Sequence, residues 1–147
     1  MAAAVHGASF EDLAAFLRRS RPGGHPVDAV RECVCRSCDG RRFQVQVAAI
    51  TSAVRRTCLD CGQQAFVADS VEWWDDDAGV GSCACLCGRE AFAAAVGFSL
   101  HEPDERDGAR DVRWVVVGAR CLACGLLGVY EDWKVGWGPS GYLLDQA

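Results

Sequence analysis

Ten of the 147 residues are cysteine, and eight of these fall into short-spaced pairs suited to holding a metal. Cys58 and Cys61, and again Cys121 and Cys124, are separated by two residues and followed at once by Gly62 and Gly125. Zinc takes four ligands at the corners of a tetrahedron, with sulfur at about 2.3 Å, and two cysteines on one tight turn supply two of those corners. A glycine directly after the second cysteine lets backbone amides turn toward the thiolates. Each pair needs a second from a distant part of the chain, and the sequence supplies both. Cys35 and Cys38 complete the first set; Cys85 and Cys87, a shortened pair followed by Gly88, complete the second. Cys33 and Cys83 are left over at equivalent places. They are either buried core thiols, since free cysteine is among the most buried residue types, or alternative ligands replacing Cys35 and Cys85, with the closer pairs preferred.

Two structural zinc ions are the cofactors this pattern predicts, with iron as the alternative because thiolates serve it too. A catalytic zinc keeps one coordination position open and usually mixes histidine and carboxylate ligands, whereas four thiolates close the shell. His6, His25 and His101 are the only histidines, and none stands at ligand spacing from a cysteine pair. Phosphate loops, nucleophile elbows and metalloprotease helices are all missing from the sequence. No catalytic residues are expected, and the chain reads as a non-enzyme.

The elements that must carry these cysteines come from comparing the chain with itself. At an offset of 49, Cys38 matches Cys87, Phe43 matches Phe92 and Val47 matches Val96. At an offset of 63, Cys58-Leu59-Asp60-Cys61-Gly62 matches Cys121-Leu122-Ala123-Cys124-Gly125, and Asp69 and Trp74 match Asp132 and Trp137. A duplication with one insertion explains both offsets. The insertion maps to the acidic segment 102–108, which predicts a long hairpin loop between an apolar strand ending near Leu100 and the β-type run Arg113 to Val117. Alternation over Phe43 to Val47 likewise predicts a strand. Ser9 and Asp12 resemble a capping box, and Phe10, Leu13, Ala14 and Leu17 form one helical stripe that Pro22, Gly23 and Gly24 bring to a close. Asp75, Asp76 and Asp77, next to Gly79, read as a solvated linker between the copies.

The paired cysteine turns with their adjoining strands, over residues 33–70 and 83–132, resemble the zinc-ribbon class, in which two such knuckles on β-hairpins clasp one metal. The resemblance implies a mainly β fold of two tandem zinc-ribbon-like repeats behind a short N-terminal α-helix. The expected organisation is a helical arm over 1–30, a first repeat over 31–74 and a second over 80–147, forming one compact unit.

Composition limits what such a scaffold does. Half the residues are hydrophobic, which excludes a disordered chain. No apolar run approaches the roughly 18 residues of a membrane span. Met1 to Phe10 has neither the basic flank nor the apolar run of a signal peptide, so the expected compartment is the cytoplasm, where thiols stay reduced and favour metal over disulfides. Lys134 is the sole lysine beside 14 arginines, which resembles the coding bias of a GC-rich bacterial genome. Residues 1–60 carry nine arginines against six acidic residues, and residues 61–147 carry six basic against 14 acidic, which gives +3 and −8 and the net charge of −5.

The leading expectation is a regulatory or binding module whose partner is another protein. Trp73 and Trp133 are the candidate contact residues because tryptophan is enriched at binding hot spots. Trp74 and Trp137, which match in the repeat, are expected to be structural. A second reading is nucleic-acid binding through Arg18, Arg19, Arg21, Arg41, Arg42, Arg55 and Arg56 in the basic half, disfavoured by the negative net charge. A third is a thiol redox switch, since Cys-x-Cys followed by Cys-x-x-Cys resembles the zinc centre of redox-regulated chaperones, whose bound thiolates oxidise and release the metal.

Overall fold

The alternating and β-branched runs of the sequence form strands, and the computed structural model, which describes residues 4–136 and 138–147, arranges them in one antiparallel system. Helix α1 spans Phe10–Arg19. Strands β1 (Ala29–Glu32), β2 (Phe43–Ala48), β3 (Ala53–Cys58) and β4 (Gln64–Phe66) follow, then the one-turn helix α2 (Ser70–Trp73). Strands β5 (Val80–Ser82), β6 (Phe92–Leu100), β7 (Val112–Cys121) and β8 (Leu127–Lys134) make up the second half, and a 3-10 turn over Gly141–Asp145 ends it. The protein is mainly β with one N-terminal helix, as the zinc-ribbon resemblance implies.

Helix α1 begins where the sequence indicates. The Ser9 hydroxyl accepts the Asp12 amide at 3.3 Å, while the Asp12 carboxylate reaches back to the Ala8 amide at 2.8 Å. That bond, aided by Ser9, holds the Asp12 carboxyl below its ordinary value. Leu13 and Leu17 are buried against Val27, Val30, Ala95, Val116 and Leu127, so the helix covers one face of β6 and β7. Close approach is possible because Gly118 has no side chain; a Cβ there would stand 2.5 Å from Leu17 Cδ2. With α1 on one face and the main core on the other, β7 is buried on both faces and reads as an unbroken apolar run from Val115 to Val117.

Main-core packing is centred on Phe43, Phe92 and Phe98 with Val45, Val54, Val115, Val117 and Leu143. The path of hydrogen-bonded strands is β4-β3-β2-β6-β7-β8. Its two halves meet where Phe43 pairs with Phe92, residues the repeat makes equivalent. An antiparallel pairing of equivalent residues marks a local pseudo-two-fold axis, and the remaining strands obey it. β1, which leads into the first half, pairs with β6 of the second, and β5, which leads into the second, pairs with β2 of the first. Past these strands the exchange continues: the Cys33 amide donates to the Ala94 carbonyl at 3.0 Å and the Cys83 amide to the Val45 carbonyl at 2.7 Å. Each half therefore completes the edge of the other's first strand.

The repeat fades toward the end of each half. Asp69 stands at the N-cap of α2, whereas its sequence match Asp132 lies within β8. Instead, Ser70 and Ser140 take the same part, each with a buried hydroxyl that accepts a strand amide, from Val54 at 2.9 Å and from Val112 at 2.8 Å.

Candidate metal centres

Each cysteine pair sits on a turn closed by backbone hydrogen bonds. The Cys58 amide donates to the Gln63 carbonyl and the Gly62 amide to the Cys58 carbonyl; Cys121, Leu126 and Gly125 repeat this in the second half. The opposing turn is held by the Cys35 amide on the Gly40 carbonyl and, in the second half, by the Cys85 amide on the Arg89 carbonyl. Asp39 donates to Cys35 four residues back, but Gly88 donates to Cys85 only three back, so the shortened pair is accommodated by a tighter turn. The residue after the second cysteine adopts positive φ in all four turns: Asp39 (60°), Gly62 (80°), Gly88 (88°) and Gly125 (80°). Aspartate is among the few side chains that visit this region readily. Gly40 then passes so close that a Cβ would meet the Cys58 and Cys38 sulfurs at 3.0 and 3.1 Å.

Two tetrads result. The sulfurs of Cys35, Cys38, Cys58 and Cys61 lie within 4.8 Å of one another, as do those of Cys85, Cys87, Cys121 and Cys124. Their short edges repeat: 3.5 Å for Cys35 to Cys61 and 3.6 Å for Cys38 to Cys58, against 3.5 Å for Cys85 to Cys124 and 3.6 Å for Cys87 to Cys121. A tetrahedron with metal–sulfur bonds of about 2.3 Å has edges of about 3.8 Å, whereas a disulfide closes to about 2.0 Å. The spacing fits a four-coordinate ion and does not fit disulfides. In every turn the first cysteine is buried and the second exposed.

Electrostatics point the same way. The Cys38 and Ser37 amides hold the Cys35 thiol down at about 7. Cys38, although the Gly40 amide pulls it down, is pushed up to about 12 by the Cys58 and Cys61 thiols beside it. In the second tetrad burial opposes ionisation of Cys121, yet the Cys124 and Ala123 amides bring it to about 6. Four acidic groups this close cannot all ionise unless a cation neutralises them. These are two zinc-ribbon-like metal-binding sites, each able to hold one ion.

Cys33 and Cys83 lie outside both tetrads. Burial pushes the Cys33 thiol up to about 12 and the Cys83 thiol up to about 11. Around the first tetrad Arg42 pairs with Asp60. The second has Ala91 and Ala123 at the matching positions, and its neighbour is instead Tyr130, whose hydroxyl is raised to about 12 by burial and then by the nearby thiols.

The remaining candidates separate. Trp73 is 57% exposed. Trp133 is half-buried against the main core, and its indole N–H donates to Asp69 at 2.8 Å. Trp74 packs on Phe66 with the Arg55 guanidinium 4.4 Å above its ring; Trp137 lies outside the described residues. Of the arginines, Arg56 is buried and donates to the Ala147 carbonyl at 2.9 Å, Arg55 donates to Gln46 at 2.8 Å, and Arg41 pairs with Glu32 at 3.3 Å. His25 and His101 both contact Arg113, while His6 sits in an isolated bridge with Leu126. Sequence reasoning did not single out Arg113, because a lone arginine in a β-type run carries no signal of its own.

Comparison with known proteins leaves the class as the only assignment: no family model matches the chain, no curated protein matches it, and no solved structure matches it. Among the described residues no helix is long and apolar enough to cross a membrane.

Proposed function

We propose that the chain is a non-enzymatic module, stabilised by two zinc ions, that binds another protein. Zinc is the metal this reading assigns to both tetrads because four thiolates at tetrahedral spacing suit a structural site, whose closed shell leaves no position for substrate. The observation that carries the binding role is Trp73. Its indole is 57% exposed beside Tyr142, also 57% exposed, on a concave surface that Val135, Pro139 and Leu143 continue. Large aromatics left outside a core of limited size are the usual anchors of protein interfaces. Weighing against nucleic acid, Arg41, Arg42, Arg55 and Arg56 are occupied by Glu32, Asp60, Gln46 and Ala147, and so do not form one open basic face.

Affinity capture with the zinc-loaded protein from its native cells, followed by reconstitution with the purified captured protein, tests the reading. Trp73→Ala is expected to weaken the reconstituted complex at least about tenfold, the loss typical of truncating an interface anchor. Captured nucleic acid with no protein that reconstitutes would overturn it.

A further inference from the structure

The strands of the second half are longer than those of the first, and residues on the added length line a cleft. β2, β3 and β4 have 6, 6 and 3 residues, whereas β6, β7 and β8 have 9, 10 and 8. In the repeat register Ala53, the first residue of β3, corresponds to Val116, so Arg113 and Trp114 stand on the extension of β7. Lys134 stands on the extension of β8. Together with His25, His101 and Trp73 they line a cleft of about 610 Å³, within the range of about 300–1,000 Å³ typical of ligand sites.

Its walls are held in place. Trp114 rests against Gly23, where a Cβ would stand 2.6 Å from the ring, and its indole N–H donates to Asp132 at 3.2 Å. The Arg113 guanidinium lies 3.0 Å from His25 Nδ1 and 3.2 Å from His101 Nδ1. A guanidinium has no acceptor, so in both contacts it is the donor. In a half whose residues sum to −8, the charged side chains lining this cleft are Arg113 and Lys134, both cationic. Among the described residues neither forms a salt bridge with a carboxylate.

We propose that this cleft receives an acidic peptide segment of the partner protein, with carboxylates facing Arg113 and Lys134 and an apolar or aromatic side chain between Trp73 and Trp114. The assignment rests on the protein-binding reading and adds the place and the chemistry. Charge complementarity selects the acidic segment, and the two indoles select its anchor.

A random peptide library displayed on phage, panned against the zinc-loaded protein, tests it. Selected sequences are expected to be enriched in Asp and Glu around an apolar or aromatic residue. Synthetic copies should lose at least about tenfold in affinity on Trp73→Ala and on Lys134→Glu, both exposed positions, with melting temperature unchanged. Selected peptides that bind both variants as well as the unaltered protein would overturn the cleft and leave protein binding standing. Selection without acidic enrichment, or no selection, would also overturn the cleft, and the captured-partner experiment then decides the broader reading separately. Displacement of the peptides by a single-stranded oligonucleotide at equal affinity would overturn the acidic-peptide assignment.

Discussion

Both halves close a four-cysteine tetrad with the same 3.5 and 3.6 Å edges, yet around that common centre they are built differently. The first has short strands, an Arg42 to Asp60 ion pair beside its sulfurs, and a face where Arg55 lies over Trp74. The second has long strands, a one-residue-shorter turn at Cys85 and Cys87, and helix α1 across the equivalent face. Arg55 and Gly118 occupy matching positions at the offset of 63, a long cation where the sheet faces solvent and a glycine where the helix crosses. Metal geometry is set by turns of a few residues and survives such changes, whereas strand length and face coverage are free to diverge. The copy that diverged toward longer strands also supplies Arg113, Trp114 and Lys134 to the cleft.

Removing the metal should have the largest effect on that comparison. Structural zinc contributes on the order of 10 kcal/mol of coupled folding free energy. Because β1 lies on β6 and β5 on β2, each tetrad has one turn hanging from the other half's sheet. Chelation is therefore expected to abolish the near-ultraviolet circular dichroism of both halves in one transition. With zinc added back at half occupancy, native mass spectrometry should find mainly metal-free and two-ion molecules. A dominant one-ion species would mean the halves fold independently.

Next in size is the axis itself. Phe43 and Phe92 are both fully buried, one beneath Arg56 at 4.8 Å and the other edge-on to Tyr130 at 5.1 Å. Truncating either to alanine should cost about 3–5 kcal/mol in urea unfolding. Costs equal within about 1 kcal/mol would support the pseudo-symmetry, and a large inequality would confine it to the backbone.

Gly118→Ala sharpens the contrast of faces at a smaller scale. The added methyl meets Leu17, and overpacking of this kind costs about 1–3 kcal/mol. Loss of stability relieved by a second change, Leu17→Ala, would locate the clash under α1; no loss at all would show that the helix shifts freely. Smallest is Ser9→Ala, which removes the N-cap acceptor and should lower stability by about 1 kcal/mol in thermal unfolding.

Much of this was legible before any coordinates. The eight tetrad cysteines, the helix start at Ser9 and the hairpin loop over 102–108 all stand where the sequence places them. Each follows from a rule acting over a few residues: a ligand spacing, a cap, an insertion against a repeat. The strand exchange was not legible. β1 and β5 are four and three residues long, too short to show a period, and nothing in Val80-Gly81-Ser82 names its partner strand. Trp133 looked like a possible contact residue; its bond to Asp69 crosses between halves and has no trace in either local sequence.

Sequence alone determined which eight cysteines form the centres, because thiolates on tight turns have few ways to satisfy a tetrahedral ion. Tertiary structure decided which half completes which sheet, and which side chains from five separate segments meet in one cleft. Those outcomes depend on pairing between distant strands, where hydrogen bonds are alike from one partner to the next and only the whole sheet selects among them.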